Sequence, residues 1–154
     1  MQGLSVLNME VMIALAHVFI SRTDTEVIPH LIEEYYKRTN DFKEACFQAL
    51  RRIQGTFAIA ILSRYAKDTI VVARRGSPLL LGIGNGFNFA ASDAIAFLDK
   101  TKTSIPLEDG DIAFLNAEKY EIYRIDDATP VKRRTITIDW DLQMASKEGY
   151  EHYM

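Results

Sequence analysis

Between Glu26 and Lys37 the apolar residues recur as Val27/Ile28, Leu31/Ile32 and Tyr35/Tyr36, with Glu33, Glu34 and Lys37 turned away from them. This spacing predicts an amphipathic helix with one buried stripe. Pro29 falls within its first turn or so, where a missing amide is best tolerated. Asp41 to Ile53 repeats the pattern through Phe42, Ala45/Cys46, Ala49/Leu50 and Ile53, capped by Asn40 or Asp41 and ended by Gly55. Upstream, Leu4, Leu7, Val11 and Leu15 predict a helix that is apolar nearly all round and needs cover on more than one side. Val18 to Ile20 follows as a short buried strand.

From Thr56 the period changes. Thr56–Ser63 and Ile70–Ala73 are apolar on both faces, which predicts central strands covered on two sides. Leu79–Gly84 and Phe87–Ser92 flank Asn85-Gly86, two residues suited to positive φ, and predict a hairpin. Ser92-Asp93 caps a short helix over Ala94–Leu98. Ile112–Leu115 and Tyr120–Ile125 form a second predicted hairpin, and Asp126 to Pro130 a surface turn. Thr135–Trp140 alternates like a strand with one exposed face, Trp140 pointing inward with Ile136 and Ile138. Helices followed by strands and hairpins argue for an α+β layered domain, with no boundary that would divide residues 1–154.

Composition narrows the classes. The 154 residues are 48% hydrophobic and 25% charged, enough for one cored globular domain, and the net charge of −3 offers no basic field for nucleic acid. Lys132-Arg133-Arg134 reads as a solvated edge. The apolar run Val11–Ile20 contains His17 and is about half of what a membrane span needs, so it reads as buried. The single cysteine, Cys46, excludes an internal disulfide framework and suits a reducing cytoplasm. It lies on the apolar side of a mid-chain helix and reads as core. Glu26, His30 and Glu33 share a helical face, but no second histidine or cysteine stands at ligand spacing, and His17 and His152 are isolated; no metal and no cofactor is expected. Gly82-Ile83-Gly84-Asn85-Gly86 does not have the spacing of a nucleotide loop. Arg74-Arg75-Gly76-Ser77-Pro78 reads as a turn with solvated arginines rather than a phosphate clasp.

The polar turn Arg22-Thr23-Asp24-Thr25-Glu26 carries the candidate chemistry. Thr23 and Glu26 have capping-box spacing, and the turn brings the Asp24 carboxylate, read as enclosed, to the positive end of a helix. By pattern this is first of all a helix start. Thr23-Asp24-Thr25-Glu26-Val27-Ile28 is followed in order by Arg74-Arg75-Gly76-Ser77-Pro78-Leu79-Leu80, Ala91-Ser92-Asp93, Leu107-Glu108-Asp109-Gly110-Asp111-Ile112-Ala113 and Gly149-Tyr150-Glu151-His152-Tyr153-Met154. Together these motifs resemble the glutaminase domain of glucosamine-6-phosphate synthase. The resemblance implies part of the four-layer αββα sandwich of N-terminal-nucleophile hydrolases, and gives Asp24 the role of binding the α-amino group of glutamine.

The same resemblance implies a cysteine nucleophile at a mature N-terminus, an arginine in a His-Thr-Arg-Trp segment and an Asn-Gly oxyanion pair, none of which has a counterpart here. Cys46 cannot serve, because it is not N-terminal. The expectation is a later part of a glutaminase domain, without catalytic residues of its own, that needs a missing N-terminal segment and the sugar-isomerase domain to act. Unpaired edges in such a part predict a homo-oligomer, with the first helix as contact. Another class II amidotransferase, of the phosphoribosyl-pyrophosphate or asparagine-forming kind, or a non-catalytic module on the same fold are the alternatives.

Overall fold

A computed structural model describes residues 18–21 and 23–139 of the chain. A 3-10 turn at Asp24–Glu26 leads into helix α1, Val27–Thr39, and α2 follows as Phe42–Arg52. Asn40 adopts the left-handed conformation (φ 53°) and its N–H returns to the Tyr36 carbonyl, closing α1. Asp41 opens α2 by accepting from the Glu44 N–H at 3.1 Å. The two candidate caps thus divide the work, each in the conformation that suits it.

Among the described residues eight strands follow: β1 (Phe57–Ile61), β2 (Ile70–Arg75), β3 (Leu80–Ile83), β4 (Asn88–Ala91), β5 (Thr103–Pro106), β6 (Asp111–Leu115), β7 (Tyr120–Arg124) and β8 (Ile136–Thr137). They make two antiparallel sheets, ordered β1-β2-β6-β7 and β4-β3-β5-β8. The helices cover one face of the first sheet, where Leu50, Ile53, Val71, Ala73 and Ile112 are fully buried among Val27, Leu31 and Phe47. Its other face packs on the second sheet through Val72, Ala113, Leu115 and Ile122 against Leu79, Leu81, Ile105 and Leu107. The period-2 alternation of β2 and β6 therefore serves two cores, one on each side. Lys43 ties α2 to β7, donating to Tyr123 Oη at 2.7 Å and Glu121 Oε2 at 3.0 Å.

The outer face of the second sheet is covered by the segment after β4. The expected helix over Ala94–Leu98 is a 3-10 turn, Ala94–Ala96, capped by Asp93, whose side chain accepts from the Ile95 N–H at 3.0 Å. Just beyond it, Phe97 is fully buried over Gly82, at a site where a Cβ would stand 2.7 Å from the ring. Phe89 lies parallel to it, with ring centroids 6.2 Å apart.

Several expectations change. Val18–Ile20 is not a strand: Val18 and Ile20 are 76% and 92% exposed, because no neighbouring strand among the described residues offers it a ladder. Among the described residues β1 is an edge strand of its sheet, not a central one; Ala58 and Ala60 are exposed, and only their small size made that face look coverable. In the turn after β3 only Gly86 has positive φ (78°), Asn85 does not. The strand expected over Thr135–Trp140 shrinks to Ile136–Thr137. β5, unpredicted, lies at the centre of the second sheet, and its Thr-Ser-Ile-Pro sequence carries no apolar alternation to reveal it. The first predicted helix, His17, Arg22, Trp140, His152 and the tail motif lie outside the described residues.

The basic residues also differ from expectation. Arg133, read as part of a solvated edge, is 13% exposed and forks onto the fully buried Asp111 at 2.8 and 2.7 Å, with Glu108 at 2.7 Å. Arg74 and Arg75, read as solvated, instead donate to the carbonyls of Leu107 at 2.8 Å and Ile53 at 2.7 Å. They fasten the β5–β6 connection and the end of α2 to β2.

Candidate functional site

Asp24 begins the 3-10 turn, and the Val27 N–H reaches back to the Asp24 and Thr25 carbonyls. The Asp24 side chain is exposed rather than enclosed, and Thr25 Oγ1 donates to its Oδ1 at 3.4 Å. The capping box does not form as its spacing suggests, since Thr23 makes no side-chain cap to the turn. Glu26 reaches further upstream: Oε1 accepts from the Ile20 N–H at 2.7 Å and Oε2 from the Ser21 N–H at 2.6 Å. Ser21 Oγ and Thr23 Oγ1 lie 2.8 Å apart, and Ser21 Oγ accepts from the Thr23 N–H at 3.2 Å. A capping-box glutamate was legible in the sequence, but its partners were not, because they depend on how the chain enters the turn.

Beside the turn an apolar groove of about 220 Å³ runs from Thr25 between Ile28 and Ile32 of α1 and Ile59 and Ile61 of β1, ending at Leu62. Leu62 also borders a wider cleft of about 710 Å³ at the end of the sandwich, rimmed by Ile70, Phe87 and Asn88. Of the side chains weighed as metal ligands, Glu26 Oε1 stands 3.6 Å from His30 Nε2, while Glu33 pairs with Lys37 at 3.5 Å. Among the described residues no three such side chains converge.

The backbone N–H of Ile20, followed by the bonds from Ser21 and the neighbouring His30, holds the Glu26 carboxyl down from 4.5 to about 2. A folded value below the unfolded one stabilises the fold above pH 4.5, and that stabilisation disappears as pH falls through about 2. Glu26→Gln is therefore expected to melt lower than the parent at neutral pH and to lose less on acidification through this window. Thermal melts of both proteins across the window test it, and parallel Tm-versus-pH curves would contradict it. Cys46 is wholly buried, and burial, followed by the Asp41 charge, pushes its thiol up to about 12. Such a thiol is packing, not a nucleophile.

The sequence profile of the glutamine amidotransferase domain matches residues 7–99, which include the Asp24 turn, both helices and β1 to β4. The chain belongs to the glutamine amidotransferase family. It is similar to the glutamine–fructose-6-phosphate aminotransferases (isomerizing) of Thermococcus kodakarensis, 49% identical over 90% of the chain and 23% of the relative, and Thermotoga maritima, 44% identical over 90% and 22%. The corresponding protein of Methanococcus maripaludis is 43% identical over 94% of the chain and 25% of its own length.

The chain thus spans about a quarter of the curated relatives it matches. Among solved structures, the glutamine phosphoribosylpyrophosphate amidotransferase of B. subtilis superposes with a TM-score of 0.65 and 24% identity, over 77% of this chain and 26% of that one. The chain therefore shares its α+β fold with that amidotransferase. Among its described residues no helix is long and apolar enough to cross a membrane.

Proposed function

We propose that this chain is the part of a glutaminase domain that holds the amine of glutamine, within an assembly that passes glutamine nitrogen to fructose 6-phosphate. The observation carrying the reading is the placement of Asp24. It is an exposed carboxylate at the entry to α1, beside an open groove, within the residues that match the amidotransferase family.

Hydrolysis is assigned to groups outside these 154 residues. Amide cleavage needs an activated thiolate and oxyanion donors, each donor contributing about a hundredfold or more in rate. Cys46, deep in the core, supplies neither. The proposed partners are a polypeptide carrying the nucleophile and oxyanion segments and a sugar-isomerase domain, with the cytoplasm as the compartment that keeps a thiol reduced. Calorimetric titration of glutamine is expected to give weak binding that Asp24→Asn abolishes; equal binding by the two proteins would sink the assignment. Mixing the chain with the nucleophile-bearing segment is expected to release glutamate, where neither does so alone.

Self-association is the second expected property. β7 is guarded along its free side by Pro130 and Val131, whose N–H reaches the Ile122 carbonyl at 2.9 Å. β1, an edge strand among the described residues, carries neither charge nor proline, and Leu62 at its end is 75% exposed. Unguarded edges of this kind pair with other strands. Sedimentation is expected to show association that rises with concentration and is weakened by Ala60→Lys, while a clean monomer throughout would refute it.

A further inference from the structure

We propose that Glu26 is a positioning residue, whose carboxylate ties Ile20 and Ser21 to the start of α1, presents Asp24 and so sets how well the site holds an amine. This rests on the assignment of Asp24 above. Both carboxylate oxygens are committed to the chain that enters the turn, one to the Ile20 N–H at 2.7 Å and one to the Ser21 N–H at 2.6 Å. The far side of the same carboxylate meets His30 Nε2 at 3.6 Å, and the His30 ring in turn packs on Phe19 at 4.6 Å between centroids. One side chain from the start of α1 therefore fastens the segment before Asp24, while Phe19 seats that segment on the helix.

Around the turn the bonds run through Ser21 and Thr23, and the Glu26 N–H returns to the Thr23 carbonyl at 3.3 Å. Asp24 stands at the tip, followed by Thr25, whose hydroxyl donates to it. Without the Glu26 bonds, the packing of Phe19 on His30 is the main contact left to hold the segment, because the flanking Val18 and Ile20 are 76% and 92% exposed. The ordering cost of Asp24 would then fall on ligand binding, which lowers affinity for the amine without touching other contacts. Charge-assisted bonds to backbone N–H groups are the strong kind that makes such a clasp durable. That Glu26 remains a carboxylate down to about 2 agrees with the geometry.

The test uses the whole chain and two ligands, glutamine and glutaramate, which keeps the carboxylate and carboxamide but lacks the α-amine. The readout is the ratio of their affinities by NMR titration, with amide hydrogen exchange at Ile20 and Ser21 followed alongside. Glu26→Ala is expected to speed exchange at those two amides about tenfold with α1 unchanged. It is also expected to lower the glutamine-to-glutaramate ratio roughly fivefold, leaving glutaramate binding as it was. Glu26→Gln, which keeps one acceptor oxygen, should fall between. A merely structural defect would weaken both ligands alike.

An unchanged ratio in Glu26→Ala, or unchanged exchange at Ile20 and Ser21, overturns the proposal. Asp24→Asn is the separate arm. If it leaves the ratio as in the parent chain, or if the parent shows no preference for glutamine, the Asp24 assignment fails and the positioning role falls with it. Exchange at Ile20 and Ser21 still reports, in that case, whether Glu26 ties them to α1.

Discussion

Arg133→Met is expected to lower the unfolding free energy by about 3–5 kcal/mol, the largest effect of any single polar substitution considered for this chain. The reason is the stranded acid rather than the lost arginine. Asp111 has no exposed surface, and two of its bonds come from the Arg133 fork at 2.8 and 2.7 Å. A third comes from the Glu108 N–H at 2.7 Å, and Arg124 stands 3.8 Å away, too far to replace the fork. Removing the guanidinium leaves a carboxylate in a low-dielectric site with two of its three hydrogen bonds gone.

The double substitution Asp111→Leu, Arg133→Met is expected to regain most of the loss, because a buried ion pair offers little net stability over apolar packing of similar volume. Urea unfolding of the three proteins decides it: a shift in midpoint at constant slope for the single variant, largely reversed in the double. A loss below about 1 kcal/mol for Arg133→Met would show the site to be hydrated instead.

Phe97→Ala is expected to cost a comparable amount, about 3–5 kcal/mol, through the cavity it opens on the outer face of the second sheet. Phe97 has no exposed surface, lies against Gly82 and is flanked in parallel by Phe89, so few neighbours can move in to fill the space. Its complement is Gly82→Ala, where the added methyl would meet the ring at 2.7 Å with β3 held on both sides by β4 and β5. That overpacking is expected to cost about 1–3 kcal/mol alone. In the Phe97→Ala background the same methyl enters empty space, and the two losses should sum to clearly less than their separate values. Thermal and urea unfolding of the cycle measure this; strict additivity would show that Gly82 and Phe97 do not act through contact.

How much was legible in advance depended on whether the cause was local. Both helices lie where their apolar stripes placed them, because a helix's periodicity and caps reside within the helix itself. Cys46 was correctly read as core from its place on the α2 stripe. The hairpins β3–β4 and β6–β7 were also readable, since their strands pair across short turns. β5 was missed, and β1 was taken for a central strand, because the neighbour of a strand is chosen by distant chain. β2 pairs with β6 from far along the sequence, and nothing in either strand announces it.

The same division holds at the site. The turn, its acid and the glutamate that follows were visible as a pattern, and resemblance to the family's motifs is what suggested the role proposed for Asp24. The exposure of Asp24, the groove beside it and the reach of Glu26 to Ile20 and Ser21 were not visible. By itself the sequence determined where helices start and stop, which residues are apolar enough to be covered, and which family's motifs the chain carries. Tertiary structure alone decided which charges are sequestered, as with Arg133 on Asp111, and which edge is left open. Hydrogen bonds and burial are settled between groups that only folding brings within a few ångströms, whereas periodicity is already present in the order of the residues.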